Sequence, residues 1–164
     1  MPIRPAVYED LNTIMAIYDV ARLFMRKNGN HSQWINGYPS RELVTEDIRR
    51  GVCYVEEDDG IRGVFALVLG DDPTYAYIED GAWLDNEPYG TIHRIGSDGT
   101  RPGFLGRSLS FARSIIPNLR IDTHEANLPM RRLVEAHGFR RCGIIYVDDG
   151  TPRIAYQLHT ADIL

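Results

Sequence analysis

The sequence predicts an α/β (α+β) fold in which a mixed sheet carries helices on its faces. Three observations lead there. Apolar spacing alternates between the helical period and the strand period along the whole chain, with two helices in succession after the first strand. The segments separating these runs are rich in turn formers, with no linker, repeat or low-complexity tract. A chain of 164 residues with 43% hydrophobic and 25% charged residues has enough apolar material for one core, so residues 1–164 are read as a single domain.

The elements follow in chain order. Residues 3–7, "IRPAV", form a short strand candidate. From Tyr8 the residues Leu11, Ile14, Met15, Tyr18, Ala21 and Phe24 fall on one helical stripe. "RKNGNHSQWINGYPS" is a loop of turn formers, and Ser40 is placed to cap a second helix with Leu43, Val44 and Ile48 inward. "VCYVEE", "IRGVFALVLG" and "YGTIHRIGS" read as strands, the first two joined at Asp58-Asp59-Gly60, a hairpin signal. "GFLGRSLSFARSII" is a glycine-led helix stopped by Pro117, and "LRIDT" is a strand. Leu128 to His137 is a helix, with Asn127 at its N-cap, Pro129 in its first turn and Gly138 past its end. It is expected to bury Met130, Leu133, Val134 and His137. "RRCGIIYV" and "PRIAYQLH" are the last strands, joined through Asp148-Asp149-Gly150.

Charge and composition narrow the function. A net charge of −5 argues against the phosphate backbone of a nucleic acid as partner and is compatible with a cationic substrate such as an amine. No run approaches the length of a membrane span and no apolar leader opens the chain, so the expectation is a cytoplasmic protein with no membrane partner. Cys53 and Cys142 stand alone in strand-like runs and read as buried thiols.

Two segments carry candidate chemistry. The first, "HRIGSDGTRPGFLGRSLSFA", runs from strand to glycine turn to helix start. Unpaired amides at a helix N-terminus suit a phosphate, Gly103 and Gly106 allow close approach, and Arg101 and Arg107 add charge. A turn that simply requires glycine gives the same pattern. The second, "DTHEAN", puts Asp122 and His124 on one strand face. A D-x-H pair can ligate a metal, but no other ligand stands at a suitable spacing, so no metal is expected and an Asp–His hydrogen bond is the simpler reading.

Taken together, these segments resemble the GNAT family of acetyl-CoA-dependent N-acetyltransferases, over most of the chain. The element order is the family's, and Phe139 of the Gly-Phe pair stands twelve residues after Asn127, as in members of the family. "W..GYPS", "Y..IHRI", "RIDTH..N..M" and "GF..CGIIY" are similar to a bacterial branch. Two departures stand out. The family's phosphate loop usually reads Gln/Arg-x-x-Gly-x-Gly/Ala, but with Gly103 as its last glycine Asp98 and Arg101 occupy the first two key positions. Val134 also stands where many members carry a Tyr that protonates the leaving thiolate.

The resemblance implies a mostly antiparallel sheet of about seven strands, splayed between the fourth and fifth. It implies acetyl-CoA as cosubstrate, without a metal, and transfer to a primary amine by direct attack in a ternary complex. Ile95, Gly96, Ser97, Arg101, Gly103, Phe104, Leu105, Gly106, Arg107, Ser108, Asn127 and Met130 would bind the cofactor, with Gly96 suited to a bulge that opens the sheet. Tyr146 is the candidate acid and His93 the candidate base, with Asp122 and His124 as alternates. Trp34, Tyr38, Trp83 and Tyr89 are candidates for the acceptor pocket. Exposed final strands would allow a homodimer. The competing functions are a non-catalytic acyl-CoA-binding module, suggested by Val134 and the altered loop, and a metal-dependent hydrolase using Asp122 and His124.

Overall fold

The computed structural model describes residues 2–159. Among these residues the elements are β1 (Ile3–Pro5), α1 (Leu11–Lys27), α2 (Arg41–Arg49), β2 (Cys53–Glu57), β3 (Ile61–Leu69), β4 (Gly90–Ser97), α3 (Phe104–Ile115), β5 (Leu119–Thr123), α4 (Leu128–Ala136), β6 (Arg140–Tyr146) and β7 (Pro152–Leu158), with short 3-10 turns at Tyr8–Asp10 and Pro73–Tyr75. The seven strands form one sheet in the order β1-β2-β3-β4-β5-β7-β6, antiparallel except for β4–β5.

The predicted order and caps hold where they rest on local chemistry. The Ser40 hydroxyl accepts from the Leu43 amide at 3.1 Å, and the Asn127 side chain accepts from the Met130 amide at 3.3 Å. The first hairpin turns through Asp59 (φ 52°) and Gly60 (φ 103°), both left-handed.

Each side of the sheet has its own core. On one side α3 and α4 cover Phe65, Ile92, Leu119, Ile121, Ile154, Tyr156 and Leu158. On the other, α1 and α2 cover Cys53, Val55 and Val64, and a small cluster of Tyr75, Tyr89, Ile145 and Ala155 closes the far end. The buried face of α1 is Leu11, Ile14, Ile17, Tyr18 and Met25. Phe24, read from the sequence as part of that face, is instead 55% exposed. Leu133 and His137 of the α4 region are likewise exposed, because both helices border an opening in the sheet.

That opening is the fold's main irregularity. β4 and β5 pair only at Gly90–Leu119 and Thr91–Arg120, and then diverge. On its other edge β4 bulges against β3, so that Val64 faces Gly96 while Ala66 faces His93. The bulge lies at Arg94, whose φ is 51°, and not at Gly96 as the sequence suggested. Gly96 serves a different need: a Cβ there would stand 3.2 Å from the Ala21 Cβ, so its absence lets α1 lie close over β4. Tyr18, buried in α1, donates to the Arg94 carbonyl at 2.7 Å and ties the helix to the bulge.

A non-glycine residue in the left-handed region costs about 1–2 kcal/mol. The Arg94 side chain supplies the compensation. It forms a bidentate pair with the buried Asp47 of α2, Nε to Oδ2 at 2.8 Å and Nη2 to Oδ1 at 3.0 Å.

Candidate active site at the opening of the sheet

Two cavities meet where β4 and β5 part. Ile95, Met25, Asn127 and Met130 line both of them.

The smaller cavity, about 360 Å³, runs along the end of β4 to the start of α3. Gly103 adopts φ 89° at the N-cap of α3, where no side chain caps the helix. The first intrahelical bond runs from the Arg107 amide to the Gly103 carbonyl, so the amides of 104–106 lie ahead of it at the positive end of the helix. Ile95, Gly96, Ser97, Arg101, Gly103, Phe104, Leu105, Gly106, Asn127 and Met130 all border this cavity. Its walls are largely apolar, with Val20, Phe24 and Leu133 exposed to it.

Asp98 shapes the loop ahead of α3 by accepting from the Thr100 amide at 3.0 Å and hydroxyl at 2.6 Å. Arg101 lies at the rim, 3.3 Å from Asp58 and 3.7 Å from Glu56. Two residues read as cofactor ligands point elsewhere. The Arg107 guanidinium grips the fully buried Glu56 at 2.5 and 3.0 Å and donates to the Pro102 carbonyl at 2.8 Å. The Ser108 hydroxyl turns back onto the Phe104 carbonyl inside the core.

The larger cavity, about 640 Å³, lies beyond the opening. His93 and Asp122 each stand two positions past the last paired residues, Thr91 and Arg120, and so line it from opposite strands. His93 Nε2 is 2.8 Å from Asp72 Oδ2. Burial works to raise the Asp72 carboxyl, but the His93 and Thr74 hydrogen bonds outweigh it and hold the group down at about 2. At Asp122 burial prevails and pushes the carboxyl above its usual range, although Tyr75 donates to Oδ2 at 2.6 Å. Trp34 and Tyr38 line the same cavity, and the Tyr38 hydroxyl accepts from Arg94 at 3.3 Å.

Other sequence candidates lie elsewhere. β7 inserts between β5 and β6, so Tyr146 falls on the outer edge strand, bonded to Glu79 and bordering neither cavity. Val134 is fully buried in the core. Trp83 and Tyr89 sandwich the Arg120 guanidinium, at 4.1 and 3.9 Å from their ring centroids, and form packing behind the cavity. His124 Nδ1 accepts from the Ala126 amide at 2.9 Å, which fixes the turn into α4 and leaves the ring outside the cavity lining. Asn127 both caps α4 and donates to Gln33 at 3.3 Å, tying α4 to the loop that carries Trp34.

Among the described residues the potential metal-ligand group is Asp85, Glu87 and His159, away from the Asp122–His124 pair. It has the geometry of an ion pair, with His159 Nε2 3.0 Å from Asp85 and 3.3 Å from Glu87. Both cysteines are free and buried, and burial pushes the Cys53 thiol up to about 12. No described helix is long and apolar enough to cross a membrane.

The sequence reading missed Asp72 and Tyr75, which lie in a segment without periodicity, and Arg153, which sits in an ordinary strand pattern. Asp72 does leave a local signal: it precedes Pro73 and accepts from the Thr74 amide at 2.9 Å, as an N-cap does.

No family model matches the chain, and no curated protein does. Solved structures do. The chain is similar to a GNAT-family acetyltransferase from Streptococcus agalactiae, with 34% identity over 95% of this chain and 93% of the other and a TM-score of 0.83. A putative acetyltransferase from Staphylococcus aureus matches at 24% identity over 98% and 99%, with a TM-score of 0.71. Mycobacterium smegmatis RimJ, solved in complex with CoA-disulfide, matches at 16% identity over 98% and 82%, with a TM-score of 0.60.

Proposed function

The chain belongs to the GNAT family of acetyltransferases, and on that footing we propose that it transfers an acetyl group from acetyl-CoA to a primary amine by direct attack in a ternary complex. The observation that carries this reading is the meeting of the two cavities at the β4–β5 opening, with His93 and Asp122 on facing strands. The RimJ structure, which holds a CoA derivative on the same fold, supports a CoA thioester as donor.

The donor's pyrophosphate takes the free amides at the start of α3, with Arg101 adding charge at the rim. Pantetheine runs along the β4 edge left unpaired beyond Thr91, past Ile95 and Ser97. The thioester then lies near the bulge, at the boundary of the two cavities.

An alkylammonium has a pKa of about 10.4 and must lose a proton before attack. Asp122 draws the ammonium into the larger cavity. With His93 Nε2 donating to Asp72, the second ring nitrogen is the acceptor for the departing proton. As the nitrogen attacks, the carbonyl oxygen gains charge, and a backbone N–H at the Arg94–Gly96 bulge stabilises it. No phenol borders the donor cavity among the described residues, so solvent protonates the leaving thiolate.

Amine-dependent release of free thiol from acetyl-CoA tests this, with His93→Ala as control. The second reading, a CoA-binding module without transfer, is favoured by Val134 in the place of the family's Tyr. It predicts CoA binding with no thiol release for any amine.

A further inference from the structure

Arg153 is a buried cation that no carboxylate grips, although Asp122 and Asp149 stand near enough to feel its charge. It is 9% exposed and lines the larger cavity from β7. One nitrogen, Nη1, donates to the Pro152 carbonyl at 2.8 Å and to Thr151 Oγ1 at 3.0 Å. Among the described residues Nε and Nη2 have no hydrogen-bond partner, and Arg153 forms no ion pair. Neither of these two nitrogens is sealed in the core, so the open side of the fork is accessible from the cavity and available to a ligand. The other arginine at this cavity, Arg94, already spends its fork on Asp47.

Register places Arg153 beside the reaction centre. Asp122 pairs with Ala155, so Arg153 lies on the same sheet face as Asp122 and diagonal to it, about 7–8 Å away between Cα atoms. A small molecule can therefore touch the Arg153 fork with one end and Asp122 and His93 with the other.

We infer that the acceptor is an amino acid or a close analogue, with its amine at Asp122 and His93 and its carboxylate on the open fork of Arg153. The inference rests on the transfer reading above and names its substrate class. A planar carboxylate matches the guanidinium fork. A single negative charge also suits the site better than a doubly charged phosphate, because Asp148 and Asp149 stand at the same cavity wall. Trp34, Ile35 and Val147 leave the acceptor's side chain an apolar wall.

The test uses alanine, phenylalanine and β-alanine beside their carboxamides, with the wild type, Arg153→Met and Arg153→Lys. Turnover is read as thiol release, and binding by calorimetry with CoA present. Wild type is expected to prefer each acid over its amide by about ten- to a hundredfold in kcat/KM, the worth of a charge-assisted hydrogen bond. Arg153→Met erases the preference for acid over amide, and Arg153→Lys keeps part of it. Should Arg153→Met fail to fold, the acid–amide comparison in wild type and the lysine variant decide alone. Amides and simple amines acetylated as well as acids would overturn the inference and leave transfer standing. Acids that bind through Arg153 with no amine ever acetylated would do the reverse. Acids that neither bind nor react better than amides overturn the inference.

Discussion

Arg94→Met should be among the most damaging single substitutions in this chain. The Arg94 side chain closes a bidentate pair on Asp47, and the two side chains are only 11% and 3% exposed. Methionine keeps much of the arginine's apolar stem but strands the Asp47 carboxylate in the core. Breaking one partner of a buried pair costs about 3–5 kcal/mol. The backbone strain at φ 51° is common to both residues and cancels. With a urea m-value of about 2 kcal/mol per M, a loss of about 4 kcal/mol lowers the unfolding midpoint by about 2 M. Urea unfolding followed by circular dichroism measures it. Adding Asp47→Asn should restore more than half the loss, since the stranded group is then neutral and hydrogen-bonding. A midpoint shift under about 0.5 M, or a double variant no better than Arg94→Met, would refute the view that this pair holds the bulge.

Four further outcomes are expected. His93→Ala should lower turnover by about 10² to 10⁴-fold, the range for general base catalysis, while CoA binding measured by calorimetry is unchanged. Tyr146→Phe should leave thiol release within about twofold of wild type, a change worth less than about 0.5 kcal/mol, because its hydroxyl meets Glu79 on the outer edge of the sheet. Gly103→Ala imposes a side chain on φ 89° at the start of α3 and should weaken CoA binding, with a stability loss of about 1–2 kcal/mol by urea unfolding. The folded Asp72 carboxyl titrates at about 2, below its unfolded value, so its contribution is present at neutral pH and fades as pH falls through 4 towards 2. Asp72→Asn should therefore cost about 1–2 kcal/mol at pH 7 and almost nothing near pH 2, read as the difference between urea curves at the two pH values.

What the sequence reveals here is what is encoded locally. Ser40, Asn127 and Gly138 mark helix ends because their side chains or φ angles act on amides a few residues away. The open amides of α3 are legible for the same reason. Tyr146 lies away from both cavities because of long-range topology: a hairpin pattern shows that β6 pairs with β7 but not which of them meets β5. The bulge at Arg94 depends on Asp47, a partner distant in sequence, so Gly96 looked the better site. Asp72 carried only the signal of a cap before Pro73 and Arg153 only that of a strand, and their roles come from the cavity they share with His93 and Asp122.

Acetyl transfer at the β4–β5 opening is tested by following thiol release and amide formation together, with acetyl-CoA and a panel of small primary amines, in wild type and in His93→Ala. Direct transfer at this site gives saturable, amine-dependent release matched one to one by acetylated amine, lost in His93→Ala while that variant still binds CoA. Tight CoA binding by wild type, with no amine-dependent release from any member of the panel, would contradict it.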